Sequence, residues 1–167
     1  MTAFVLMGVA GSGKSTVGRR VAAELALTFI EGDDFHPQSN VQKMAGGMPL
    51  TNEDRAPWIE ALAKGINTRE PKRDAVVACS ALNRFVRDLL QERIAEPTHF
   101  ILLSADASIL QERLSQRSQH FMKAGMLHSQ LDALEWPKDA IVIDVARPID
   151  AVCVDVVNAV LRTTTHS

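Results

Sequence analysis

The run Gly8-Val9-Ala10-Gly11-Ser12-Gly13-Lys14-Ser15 follows an apolar segment, Ala3-Phe4-Val5-Leu6-Met7, and leads into a helix-like stretch from Thr16 to Ala26. A strand, a glycine-rich turn and a helix in that order is the setting of a phosphate-binding loop. Glycine lets the backbone curl so that successive N–H groups point inward at an anion, and the first turn of the following helix adds the positive end of its dipole. Gly8, Val9, Ala10, Gly11, Ser12, Gly13, Lys14, Ser15 and Thr16 are therefore expected to hold the phosphates of ATP. Lys14 would reach the β- and γ-phosphates, and the Ser15 hydroxyl is placed to ligate Mg²⁺.

Further apolar, β-rich runs recur at Thr28–Ile30, Ala75–Cys79, His99–Leu103 and Ala140–Val145, each followed by a polar turn and usually by helix-period sequence. Val17, Val21, Ala22 and Leu25 form one face of the first helix; Ile109, Leu110 and Leu114 do the same after Ser104-Ala105-Asp106. Short continuous apolar strands joined by helices predict an α/β fold of three layers built around the P-loop. Its five-stranded parallel sheet carries helices on both faces and ligands at the carboxyl ends of the strands.

At 167 residues one domain is expected over 1–167, burying about two thirds of its unfolded surface. A net charge of −2 argues against a broad nucleic-acid surface, while Arg84/Arg87 and Arg113/Arg117 remain local basic clusters suited to small anions. Cys79 and Cys153 lie in separate apolar runs and read as buried, reduced thiols. The five histidines lack metal-site spacing, and no stretch approaches bilayer-crossing length, so a cytoplasmic, membrane-free protein with a small-molecule substrate is expected.

Two stretches interrupt the alternation, one from Gly32 to about Pro57 and one from Arg117 to about Pro137. They are the expected substrate segment and lid, because phosphoryl transfer needs water excluded; long surface loops are the plainer alternative. Gly32-Asp33-Asp34-Phe35-His36-Pro37 comes after the second strand, on the same sheet edge as the P-loop. A carboxylate there can orient an acceptor hydroxyl and take its proton late in transfer, a role assigned to Asp33, which could also contact the metal through water. Asp34 is the neighbouring candidate, although adjacent extended residues point to opposite faces.

Arg55 and Arg87 are expected to grip an anionic substrate with their planar forks, Arg84 beside them, with helix-surface pairing within Arg84 to Asp88 as the competing explanation. Arg113, Arg117 and His120 recur at i, i+4 and i+7 and would face the nucleotide together if the helix after the fourth strand continues that far. Arg117 would stabilise charge in the transition state. Asp144 imitates a Walker-B aspartate but lies late in the chain, nearer an adenine side than a metal.

The sequence resembles the small P-loop gluconokinases of the thermoresistant type, related in architecture to shikimate and nucleoside monophosphate kinases. The likeness is carried by Met7 to Ser15, Glu31-Gly32-Asp33-Asp34-Phe35-His36-Pro37, Asn40 with Lys43-Met44, and Pro49-Leu50 through Asp54-Arg55 to Pro57-Trp58. It continues with Ala78-Cys79-Ser80-Ala81-Leu82, Arg87-Asp88, His120-Phe121-Met122, Ser129-Gln130 and Leu134-Glu135. The resemblance implies transfer of the γ-phosphoryl of ATP to the 6-hydroxyl of D-gluconate with Mg²⁺, in a cytoplasmic homodimer. It also places Asp33, Asp34, His36, Lys43, Arg55, Arg84, Arg87 and His120 on the substrate side. Asn83 stands where a lysine commonly follows Ser-Ala-Leu. Another small-molecule kinase of this architecture is the first alternative, and a nucleotide-dependent switch protein the rival from another class.

Overall fold

A computed structural model of the chain describes residues 1–116 and 124–165. Five strands, β1 (Ala3–Met7), β2 (Thr28–Glu31), β3 (Ala75–Ala78), β4 (Thr98–Ser104) and β5 (Ile141–Asp144), form one sheet in the order β2-β3-β1-β4-β5. Every neighbouring pair is parallel. The helices are α1 (Lys14–Glu24), α2 (Gln38–Ala45), α3 (Asn52–Thr68), α4 (Arg84–Arg93), α5 (Ala107–Ser115), α6 (Ala124–Ala133) and α7 (Ile149–Thr164).

β1 is apolar throughout and fully buried because it has a strand on each side and helices above and below. Its side chains alternate between two cores. Ala3, Val5 and Met7 pack with Trp58, Ile59, Leu62, Val86 and Leu90 under α3 and α4, while Phe4 and Leu6 pack with Val17, Val21, Val156 and Val160 under α1 and α7. The expected α/β architecture is present, with strand bounds within one residue of the apolar runs. β1 sits where the strand order reverses, so the loop after it opens into the crevice at the carboxyl edge.

The two interrupting stretches contain more helix than their composition suggests. Gly32–Phe35 is a 3₁₀ turn, α2 comes next, and α3 begins at Asn52, so Pro57 lies inside it. Its start is set by a capping box: the Thr51 side chain accepts from Asp54 N–H while the Asp54 carboxylate accepts from Thr51 N–H at 2.9 Å. The later stretch includes α6, whose Leu127 and Leu131, one turn apart, join Val9, Leu110 and Leu114 in a small third core.

Candidate active site

The P-loop is wedged into the carboxyl edge of the sheet. Gly8 N–H donates to Ser80 O at 3.2 Å, and a Cβ on Gly8 would lie 2.6 Å from Leu103 O, so a side chain there has no room. Gly13, at φ 91°, turns the chain into α1 in the left-handed region that glycine enters without strain. The first-turn N–H groups of α1 then lack helical acceptors and face the mouth of the loop, the arrangement that binds phosphate. Lys14 Nζ donates to Val9 O at 3.2 Å, which holds the ammonium against this loop. Ser15 is half-buried and Thr16 exposed in the same first turn.

Asp33 emerges two residues past the end of β2, on the far side of β3 from the P-loop. The Lys14 ammonium and the Asp33 carboxylate nevertheless both act on the buried Cys79 thiol at the end of β3, in opposite directions, while burial pushes that thiol up to about 12. Lys14 and Asp33 thus both follow the carboxyl ends of strands that flank β3. Asp33 and Asp34 are not extended, as their spacing suggested, but sit in the 3₁₀ turn, which separates their side chains by about a third of a turn. Asp33 is 75% exposed, leaving it open to an incoming hydroxyl.

The turn is anchored from below by Trp58. Its Nε1–H donates to Gly32 O at 2.7 Å, and its indole stacks on His36 with centroids 4.0 Å apart. His36 is 5% exposed, with Nε2 3.8 Å from Asp33 Oδ1 and Nδ1 3.3 Å from Asn40 Nδ2. Burial lowers its pKa, against a smaller opposing effect from Asp33, so the ring is neutral at neutral pH.

The expected cationic ligands divide by what they already hold. Lys43 Nζ donates to both Asp54 oxygens at 2.7 Å, bracing α2 against the α3 cap and holding the Asp54 carboxyl at about 2. Arg87 is buried, with Nη1 donating to Ala81 O and Leu82 O at 2.9 and 3.0 Å. It thereby supports a loop in which Ala81 adopts φ 42°. Arg84 is exposed and paired with Asp88 at 3.2 Å, the helix-surface pairing that its spacing allows. Arg55 is half-buried on the first turn of α3 and donates to Asn52 Oδ1, which also accepts from Asn83 Nδ2 at 2.9 Å. Burial lowers the pKa of both Arg55 and Arg87, yet guanidinium stays charged at neutral pH.

On the nucleotide side, Arg113 Nη2 donates to Val145 O, past the end of β5, so this arginine links α5 to the sheet edge. α5, which carries Arg113, ends at Ser115 with Gln116 as its cap, so the expected Arg113, Arg117, His120 alignment falls partly on residues not described. Arg117 and His120 lie outside the described residues. Asp144 accepts from Ala146 N–H at 2.8 Å, a turn contact on the edge strand. Among the described residues no group of three His, Cys, Asp or Glu is placed to hold a metal, and no helix is long and apolar enough to cross a membrane.

Several contributors escape a reading of the sequence. Trp58 stands out there only as part of a motif. Asn83, noted as a departure, is the N-cap of α4, its Oδ1 accepting from Val86 N–H at 3.0 Å; an Asn just before a helical run is the signal that identifies it. Gln130 of α6, which stands out in the sequence only within the Ser129-Gln130 likeness, accepts a hydrogen bond from the P-loop, a contact across 120 positions.

The comparisons with known proteins agree with this geometry. A family model described as "AAA domain" matches residues 4–137. The thermoresistant gluconokinase of Escherichia coli (strain K12) is 38% identical over 165 residues, covering 95% of this chain and 93% of that one. The thermosensitive gluconokinase of the same strain is 40% identical, covering 87% and 80%. A crystal structure of a gluconokinase from Sinorhizobium meliloti 1021 superposes with a TM-score of 0.89 at 38% identity, over 99% of this chain and 94% of that one.

Proposed function

This chain belongs to the gluconokinase family, and from that premise we propose that it transfers the γ-phosphoryl group of ATP to the 6-hydroxyl of D-gluconate, giving 6-phospho-D-gluconate and ADP. The observation that carries the reading is that the loop with Lys14 and the turn with Asp33 follow β1 and β2, the two strands that flank β3, and so share the carboxyl edge of one parallel sheet. One charge suits the phosphate that moves, and the other suits the alcohol that receives it.

Asp33 accepts a hydrogen bond from the 6-hydroxyl, orients it for in-line attack and takes its proton as the new ester bond forms. Asp34 and the neutral His36 line the same turn, with His36 Nε2 3.8 Å from Asp33 Oδ1. Arg55, with the exposed Arg84, supplies charge for the gluconate carboxylate; Arg87 fixes the loop that presents Arg84. Lys43 serves this side through Asp54 and the α3 cap. Lys14 and the first-turn N–H groups of α1 neutralise the phosphates as the bond to ADP breaks, and Arg113 borders the nucleotide side.

The half-buried Ser15 hydroxyl on the first turn of α1 is a hard oxygen donor that fits Mg²⁺ and would hold it, with Asp33 as a further candidate through water. The ion would supply positive charge against the charge that develops on the phosphates. We assign the protein to the cytoplasm, where ATP is abundant and its free buried thiols Cys79 and Cys153 stay reduced. A homodimer is the expected assembly, supported by the exposed apolar edge at Trp136, Ile141 and Val142.

ADP release measured across sugar acids, shikimate and nucleoside monophosphates tests the assignment: turnover with gluconate is expected, and turnover only with another acceptor replaces it. Asp33→Asn should lower kcat by about 10²- to 10⁴-fold with little change in the KM for ATP. An unchanged kcat removes Asp33 from the chemistry. Light scattering of the purified protein reports the assembly.

A further inference from the structure

One contact ties the P-loop to a helix far from it in sequence. Gln130 Oε1 accepts from Ala10 N–H at 2.6 Å, a partly buried bond. Gln130 is on the turn of α6 between Leu127 and Leu131, both in the small core with Val9, Leu110 and Leu114, so the side chain cannot drift from the loop. A few residues on, the same segment is tied to the other half of the site. Glu135 N–H donates to Leu82 O at 2.9 Å, and Glu135 Oε2 accepts from Arg84 N–H at 3.2 Å. One stretch of chain therefore touches the nucleotide loop at one end and the β3–α4 loop, on the acceptor side, at the other.

The choice of a carboxamide at the P-loop end follows from electrostatics. Ala10 N–H needs an acceptor, and a carboxylate would be the stronger one. It would also place a negative charge beside a loop built for a triphosphate, in a setting where like charges repel more than in water. Glutamine offers a carbonyl oxygen without the charge, and its Nε2 carries two further donors that no described residue accepts.

We propose that Gln130 is a positioning residue for phosphoryl transfer: it holds the crown of the P-loop through Ala10 N–H while keeping that position neutral, so that the loop receives ATP already shaped. The inference rests on the kinase reading only in requiring that the loop bind ATP; it is independent of which alcohol is phosphorylated.

The test compares Gln130→Leu, which keeps the packing and loses the acceptor, with Gln130→Glu, which keeps the acceptor and adds charge. Binding of a non-hydrolysable ATP analogue is titrated without any acceptor substrate, followed by kinetics with gluconate. Gln130→Leu should weaken analogue binding by about tenfold, the worth of one hydrogen bond, and lower kcat/KM for ATP in step while the KM for gluconate holds. Gln130→Glu should bind the analogue more weakly still at low salt and recover part of the loss at high salt. Wild-type analogue binding in both variants overturns the proposal, as does Gln130→Glu binding as well as wild type at low salt. A lowered Tm with unchanged binding and kinetics in both variants would reduce Gln130 to packing and also overturn it. If gluconate is not the acceptor, the titration still decides the role of Gln130, because it involves no sugar acid.

Discussion

His36 lies almost parallel to Trp58, 4.0 Å between ring centroids and 17° between planes, and the indole N–H of the same tryptophan holds the carbonyl of Gly32. One side chain of α3 therefore fixes both ends of the turn that carries Asp33. The turn thus owes its shape to the core beneath it as well as to its own residues.

Trp58→Phe should show this. The substitution leaves the Gly32 carbonyl without its donor and thins the stack on His36. A loss of about 1–3 kcal/mol is expected, seen as a Tm lowered by several degrees, together with a fall in kcat from a displaced Asp33. A variant that melts lower but turns over at the wild-type rate would separate the anchor from the chemistry.

Acid should weaken the fold through His36. Its pKa is lowered chiefly by burial, so the folded state favours the neutral ring and binds a proton less readily than the unfolded chain does. The contribution is complete above the ordinary histidine value of about 6.5 and is lost as pH falls below it towards the depressed folded value. Thermal melts of wild type and His36→Gln between about pH 5 and 7.5 check the sign. The variant should show the shallower slope, and equal slopes would assign the pH dependence elsewhere.

Two glycines next to the site should respond in opposite ways to alanine. A Cβ on Gly32 would meet the backbone oxygen of Ala78 at 2.5 Å, and moving that oxygen means parting β2 from β3. Gly32→Ala should cost about 1–3 kcal/mol and lower kcat. Gly46, capping α2 at φ −79°, meets nothing nearer than 3.5 Å. Gly46→Ala should be neutral or stabilise by about 0.4–1 kcal/mol through the unfolded chain. Denaturant titrations of both variants distinguish the two effects.

At the amino edge of the sheet, opposite the site, Arg69 and Glu96 form a buried pair at 2.7 Å, side chains 5% and 12% exposed. Arg69 Nη1 also donates to Ile66 O at 2.6 Å, so the guanidinium ties the end of α3 to the segment entering β4. Glu96→Ala strands a buried cation and should cost about 3–5 kcal/mol with kcat and both KM values unchanged at a permissive temperature. A changed KM for either substrate would mean this edge communicates with the site.

The sequence by itself determined the parts of this protein whose physics is local. Continuous apolar runs such as Ala3–Met7 and Ala75–Cys79 state that central strands are buried on both faces, and the glycine spacing from Gly8 to Gly13 followed by Lys14 states that a loop must curl around an anion. Both are consequences of period and backbone freedom, which neighbours along the chain define. The position of Asp33 past the second strand was legible for the same reason, because parallel strands deliver the residues after them to one edge.

Tertiary structure decided which polar groups are spent and which are offered. Lys43, Arg84 and Arg87 look alike as basic residues near the site, yet one is bound to Asp54, one is a surface pair and one is buried on two carbonyls. Trp58 beneath Gly32 and Gln130 against Ala10 are contacts across 26 and 120 positions. A hydrogen bond forms between groups brought within about 3 Å, and that distance is set by how helices pack on a sheet, which no short window of sequence contains.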